Sequence, residues 1–279
     1  MLNSMTIKQI EDFVYSQPRS IQEIAQHINK NWRTADRYID EIKKQFGTLD
    51  IKIFRKGTRG ALKIVYWASM EKISNSVFQE ILEKEIFRGR EKDDFSALDI
   101  YQHVLKKDKK VRFVQENIED KAGNLDYFFK ELLDAKKQVL FFSGNLSFIN
   151  VKSKKTDFFK IIEQLIKKKI SIKVICKVDI SGRKNIEKLL SLNFKHKKEL
   201  IEIRHRAQPL RATIIDDRFV DIKEIKEPTG KVGELNKKTF LFYSIKNKEW
   251  IKWLTKIFWK MFNSSIDANK RLEEINKIF

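Results

Sequence analysis

Apolar residues recur at helical spacing along the first 46 residues. Ile7, Ile10, Phe13 and Val14 define one stripe over 6–16, which Gln17-Pro18-Arg19 then breaks. Ser20 with Glu23 forms a capping box, each side chain positioned to satisfy the other's orphan amide. Ile21, Ile24, Ala25 and Ile28 continue that second helix. The polar turn Asn29-Lys30-Asn31 leads to a third stripe, Ala35, Tyr38, Ile39 and Ile42, which ends at Phe46-Gly47, where glycine suits a left-handed cap. Leu49–Arg55 then alternates as a strand, residues 56–60 (KGTRG) read as a turn, and Leu62–Trp67 returns. From about Met70 to Lys121 the apolar positions are again helical: Ile73, Val77, Ile81 and Ile86, then Leu98, Ile100, Tyr101, Val104 and Leu105. No sustained heptad marks a long coiled coil.

Beyond Leu125 the pattern alternates strand with helix: a helix to Ala135, a buried strand Gln138–Phe142, and a helix with Phe158, Phe159, Ile161, Ile162, Leu165 and Ile166 on its apolar face. A strand Ile170–Cys176, a helix near Asn185–Leu192 and a strand Ile201–Arg204 follow. A hairpin (Arg211–Asp216, Phe219–Lys223), a strand Thr239–Tyr243 and a helix rich in tryptophan complete it. Such alternation predicts a sheet covered by helices, hence a multi-domain α/β chain. It divides into 1–68, a helical connector over 69–124 and an α/β domain over 125–279.

Composition changes the picture through charge. The formal net charge is +20, and it is uneven: 12 basic against 7 acidic side chains in 1–68, 11 against 12 in 69–125, and 35 against 19 in 126–279. Lysine and arginine near phosphates release condensed counterions, so the balance favours a polyanionic partner. Lysine runs such as Lys167-Lys168-Lys169 are equally read as a solvated face. There is no stretch of about 18 apolar residues and no signal-peptide pattern, so the expectation is a cytoplasmic protein without a membrane partner. The single cysteine, Cys176, lies in an apolar strand and reads as a small buried hydrophobe, a reactive thiol being the alternative.

Opposite the apolar stripe of the third helix stand Arg33, Arg37, Asp40 and Lys44, with Asn31 and Thr34 near its start, while the hairpin tip carries Arg55, Lys56 and Arg59. Two helices joined by a short turn and followed by a basic hairpin resemble the winged helix-turn-helix superfamily. That resemblance implies double-stranded DNA as partner, with Asn31, Arg33, Thr34, Arg37, Lys44, Arg55, Lys56 and Arg59 as contacts. A tri-helical domain with a solvated charged face, or a winged helix used for protein contacts, has the same local pattern. Helix-turn-helix proteins commonly read two half-sites as symmetric dimers, so a homodimer is expected; the connector is one place for its contact.

In the α/β domain, Ser143-Gly144-Asn145 after a strand, Arg204-His205, and residues 209–217 (PLRATIIDD) resemble the phospholipase D-like domain. Joined to the N-terminal module, the layout is similar to that of the TrmB-type transcriptional regulators of archaea. Catalytic members of the phospholipase D superfamily carry H-x-K-x-x-x-x-D; alignment on Asp216 puts Pro209 at the histidine and Arg211 at the lysine. None of the four histidines, at 27, 103, 196 and 205, restores the spacing. A proline has no lone pair with which to attack phosphorus, so no catalytic residue and no enzyme activity are expected. Arg211 keeps a cation where phosphate would be held, and the resemblance implies an effector, a sugar or an anion, near Ser143, Asn145, His205, Arg211 and Asp216. An ion pair of Arg211 with Asp216 is the structural alternative. No metal-ligand spacing or nucleotide loop occurs, so neither metal nor cofactor is expected. The function these features imply is a transcription regulator whose degenerate, non-catalytic phospholipase D-like domain serves dimerisation or effector sensing; a chromatin-like architectural protein, and a phosphodiesterase or nuclease with a variant site, are the alternatives.

Overall fold

The computed structural model describes residues 2, 4–45, 47–55, 61–68, 75–115, 121–152, 157–228, 235 and 237–277. It divides into two compact units, one of Met1–Phe78, Leu98–His103 and Ile225–Thr239, the other of Gln79–Ala97, Val104–Glu224 and Phe240–Phe279.

The first unit runs α1 (Ser4–Ser16), β1 (Arg19–Ser20), α2 (Ile21–His27), α3 (Trp32–Gln45), β2 (Leu49–Arg55) and β3 (Ala61–Trp67). The capping box forms as the sequence predicts: Ser20 Oγ accepts from Glu23 N at 3.2 Å and Glu23 Oε2 accepts from Ser20 N at 2.7 Å. Asn29, at φ 53°, turns the chain between α2 and α3. Gly47, at φ 67°, ends α3 by donating its N–H to Ile42 and Lys43 carbonyls. Strands β2 and β3 pair antiparallel from Leu49 opposite Trp67 to Arg55 opposite Ala61, and the short β1, absent from the sequence pattern, adds to β3 at Arg19–Val65. Ile10, Val14, Ile21, Ile24, Ala35, Ile39, Ile42, Leu49 and Val65 form one buried cluster. Fully burying each large apolar side chain is worth about 1.5–3 kcal/mol, which holds three short helices that would be marginal in isolation. This element order and its β2–β3 hairpin are those of a winged helix.

The connector expected over 69–124 departs from an all-helical segment. It contains α4 (Asn75–Arg88) and α5 (Ala97–His103), but then β4 (Lys109–Gln115), a strand of the second unit's sheet. The inward positions of β4 include Arg112, whose guanidinium meets Asp221 at 2.8 Å. A buried arginine reads as polar in any periodicity count, so the alternation was hidden.

The second unit continues with α6 (Lys121–Leu133), β5 (Gln138–Phe142), α7 (Phe158–Lys167), β6 (Ser171–Cys176), α8 (Arg183–His196), β7 (Ile201–His205), β8 (Ala212–Ile215), β9 (Phe219–Lys226), β10 (Thr239–Ile245), α9 (Lys248–Asn263), β11 (Ile266–Asp267) and α10 (Ala268–Asn276). Its eight-stranded mixed sheet has the order β11-β7-β6-β5-β8-β9-β10-β4, with β5, β6 and β7 parallel and β8 antiparallel to both β5 and β9. Val139, Phe141, Ile172, Val174 and Cys176 pack with α6, α7, α8 and α10 on one face; Phe142 meets Phe258 of α9 on the other, with ring centroids 5.1 Å apart. A central sheet buried on both faces explains the near-continuous apolar runs of β5 and β6. Cys176 is fully buried, which pushes its thiol up to about 12, as suits a core residue. Among the described residues no helix is long and apolar enough to cross a membrane.

Candidate functional site

Helix α3 separates its two faces cleanly. Ala35, Ile39 and Ile42 are wholly buried, so the stripe about 180° away, with Arg33, Arg37, Asp40 and Lys44, is turned to solvent. Asn31 Oδ1 accepts from Thr34 N at 2.9 Å; Asn31 therefore caps α3, with its side-chain oxygen already engaged, and Thr34 is half-buried. Arg37 lies 3.9 Å from Glu41 one turn on, an exposed pair that costs little to exchange for a phosphate. Lys43 faces away and pairs with Asp50 of β2 at 2.5 Å, which leaves Lys44 as the lysine on the open stripe. Sequence reasoning missed Trp32. It is 45% exposed at the start of α3, with the Arg33 guanidinium 5.6 Å from its ring centroid, so α3 presents an aromatic surface beside its first cation. A tryptophan inside a polar helix-start was the available signal. Arg55 ends β2, with nothing described of its side chain, and Lys56 and Arg59 lie outside the described residues.

The expected effector residues do not all come together. Ser143, Gly144 and Asn145 follow β5, His205 ends β7, and Arg211 precedes β8. Phe142 lies opposite both Ile175 and Ala212, and Cys176 opposite His205, so these groups share the carboxyl edge of the parallel strands. Asp216 does not. It follows Ile215, the partner of Val139, and is at the other end of β5, where its carboxylate accepts from the Lys136, Lys137 and Gln138 amides at 2.9 Å each. Asp216 therefore staples the start of the central strand, and neither an effector contact nor an ion pair with Arg211 describes it.

At the shared edge, most polar atoms already serve the backbone. Ser143 Oγ accepts from Leu146 N at 3.3 Å, and exposed Asn145 accepts from Ser147 N at 3.2 Å. Gln208, buried and not singled out by any sequence signal, donates to the Ser143 carbonyl at 2.9 Å and accepts from Leu210 N at 2.7 Å, so it ties the 206–211 segment to β5. Pro209 packs on Gly89, where an added Cβ would stand 2.7 Å from the proline ring. The position aligned with the nucleophile is thus a buried packing residue. Arg211 Nη1 donates to the Gln208 and Leu210 carbonyls at 3.1 and 2.8 Å, while Gly144 leaves room for the other side of the guanidinium, since a Cβ there would lie 2.9 Å from Nη2. Among the described residues Nε and Nη2 have no acceptor. Burial lowers the Arg211 pKa, and the carboxylates of Glu91 and Asp93 oppose that shift.

His205 Nδ1 accepts from Val178 N at 2.8 Å. With that lone pair engaged, the neutral ring carries its proton on Nε2 and offers a donor there instead of a nucleophilic nitrogen. Burial foremost, then Arg271, pulls the His205 pKa below its ordinary value. The donors left at this edge are the outer nitrogens of Arg211 and the Nε2–H of His205, on segments separated in the sheet by β6 and β5.

No protein-family description matches the sequence, and no curated protein does. Among solved structures, Nuc from Salmonella typhimurium, a phospholipase D family member, aligns over 57% of this chain and 97% of its own, with 11% identity and a TM-score of 0.41. NucT from Helicobacter pylori aligns over 57% and 99%, with 15% identity and a TM-score of 0.40. TrmBL2, an archaeal chromatin protein, aligns over 95% and 94%, with 15% identity and a TM-score of 0.37. Likeness at these values assigns neither family nor activity.

Proposed function

We propose that the chain is a DNA-binding transcription regulator of TrmB-type layout, non-enzymatic, whose α3 enters the major groove and whose second unit takes a small polar or anionic effector. The observation that carries the reading is α3 itself: one face wholly buried in a winged-helix core and the opposite face carrying Arg33, Arg37 and Lys44 into solvent. A helix so mounted can lay its outer stripe against base edges, where arginine pairs bidentately with guanine. Two copies would read two half-sites.

Three features support a non-catalytic second unit. Pro209 is buried against Gly89, the His205 lone pair at Nδ1 is engaged, and Cys176 is sealed in the core with its thiol pushed up to about 12. What remains at the edge is cationic binding without a nucleophile.

The test begins by selecting a duplex from random sequence with the purified chain. Arg33→Ala and Arg37→Ala are then titrated against the selected duplex. Each lost base contact is expected to cost roughly 1–3 kcal/mol, about 5- to 150-fold in Kd. Parental affinity in both variants would remove α3 from the groove. Turnover of a generic phosphodiester that followed the protein through purification and vanished in Arg211→Ala would overturn the non-enzymatic reading.

A further inference from the structure

The lysines of α9 form a pattern that the reading of α3 leaves unused. All four, Lys248, Lys252, Lys256 and Lys260, fall at intervals of four in its 16 residues. Four residues advance a helix by about 6 Å, so they stand in a slowly winding row. Lys260 pairs with Glu83. Lys248, Lys252 and Lys256 are exposed and, among the described residues, have no acidic partner; Glu249 is the helix's one carboxylate. A second element extends the row. Lys246 N and Asn247 Nδ2 donate to Asp108 at 2.8 and 2.9 Å, which fixes the turn Lys106–Asp108 beside the start of α9. That turn brings the exposed and likewise unpaired Lys106 and Lys107.

Left to itself this arrangement is unfavourable. Like charges at i, i+4 repel along the row, and Lys248 opposes the helix dipole in the first turn. A polyanion reverses both effects. The opposite face of α9 is buried through Trp250, Ile251, Leu254, Ile257, Phe258 and Met261, so no apolar stripe is free to enter a lipid surface. Regularly spaced cations without apolar content suit a regularly spaced row of phosphates.

We infer that Lys106, Lys107, Lys248, Lys252 and Lys256 form a second nucleic-acid face, on the second unit, which grips the duplex backbone without reading sequence. The row from Lys248 to Lys256 extends about 12 Å, and a duplex strand presents one phosphate per about 3.4 Å of its axis. The row therefore spans three or four phosphates of one strand.

The test is a salt titration of full-length protein on a duplex of arbitrary sequence. The triple variant Lys248→Gln/Lys252→Gln/Lys256→Gln should lower the magnitude of the slope of log Kobs against log salt by roughly 2–3, at about 0.9 per contact, and weaken binding about 100- to 1000-fold near 0.1 M salt. The corresponding triple arginine variant should keep the parental slope. A slope unchanged in the glutamine variant, or lost equally in the arginine one, would overturn the inference, as would polyglutamate of equal charge binding as tightly as the duplex. Titrating both variants on the duplex selected from random sequence separates the two readings. Parental affinity in Arg33→Ala/Arg37→Ala there, with the lysine variant weakened on both duplexes, speaks against α3 alone. A parental slope in the lysine variant, with the α3 variant weakened on the selected duplex, speaks against the lysine face alone.

Discussion

Replacing Asp216 tests whether it belongs to the fold or to an effector site. Its carboxylate accepts three backbone N–H bonds of 2.9 Å from residues 136–138, and its own N–H donates to the Gln138 carbonyl at 3.0 Å. Three such bonds contribute about 0.5–1.5 kcal/mol each net of water. Lys136 and Lys137 are exposed and their amides rehydrate when the acceptor goes, whereas Gln138 is half-buried, so the lower part of that range applies. Asp216 also sits at φ 49°, where a β-carbon without a polar group adds about 1 kcal/mol of strain. Asp216→Ala should therefore cost about 2.5–3.5 kcal/mol. Asp216→Asn keeps one oxygen and tolerates positive φ, and should cost about 1–2 kcal/mol. The assay is urea-dependent amide hydrogen exchange read on the peptide that spans β5, which reports the second unit alone. An alanine variant within about 0.5 kcal/mol of the parent, the range of an ordinary surface substitution, would refute the staple. Loss of sulfate binding in that stable variant would return Asp216 to the effector site.

Two further outcomes follow from protonation. His205 titrates below its ordinary 6.5 through burial, then Arg271, with Asp179 and Glu274 opposing; because its folded pKa is depressed, the unfolded chain takes up the proton first as pH falls. The stability this contributes is complete above about 6.5 and is lost as pH falls from there toward the folded value. His205→Gln, whose side-chain oxygen can still accept from Val178 N, should flatten that part of the profile in urea titrations at stepped pH, and an unchanged profile would show that His205 does not titrate as described. Cys176, with its thiol pushed up to about 12, should resist iodoacetamide at pH 8 in the native protein and react fully in urea; rapid native alkylation would show the thiol to be reachable.

Local patterns fixed a large part of this molecule in advance. The capping box at Ser20–Glu23, the left-handed stop at Gly47 and the alternation of β2 and β3 depend on residues within a few positions of one another. So does the split of α3 into a buried Ala35–Ile39–Ile42 face and an exposed Arg33–Arg37–Lys44 face. Periodicity reads such interactions directly, and the buried parallel strands β5 and β6 were legible for the same reason, as short apolar runs between helical stripes. Contacts between distant residues were not legible. Arg112 is inward because Asp221 waits 109 positions away, and β4 consequently joined a sheet where a helical connector was expected. Gln208 holds the Arg211 segment to Ser143, 65 positions earlier, and nothing near it in sequence signals that. Asp216 stood five residues from Arg211, as an effector site required; yet β8 runs antiparallel to β5 and carries the two to opposite ends of the sheet. Sequence spacing determines which residues share a strand, while strand direction and register, set by the whole core, decide which of them meet.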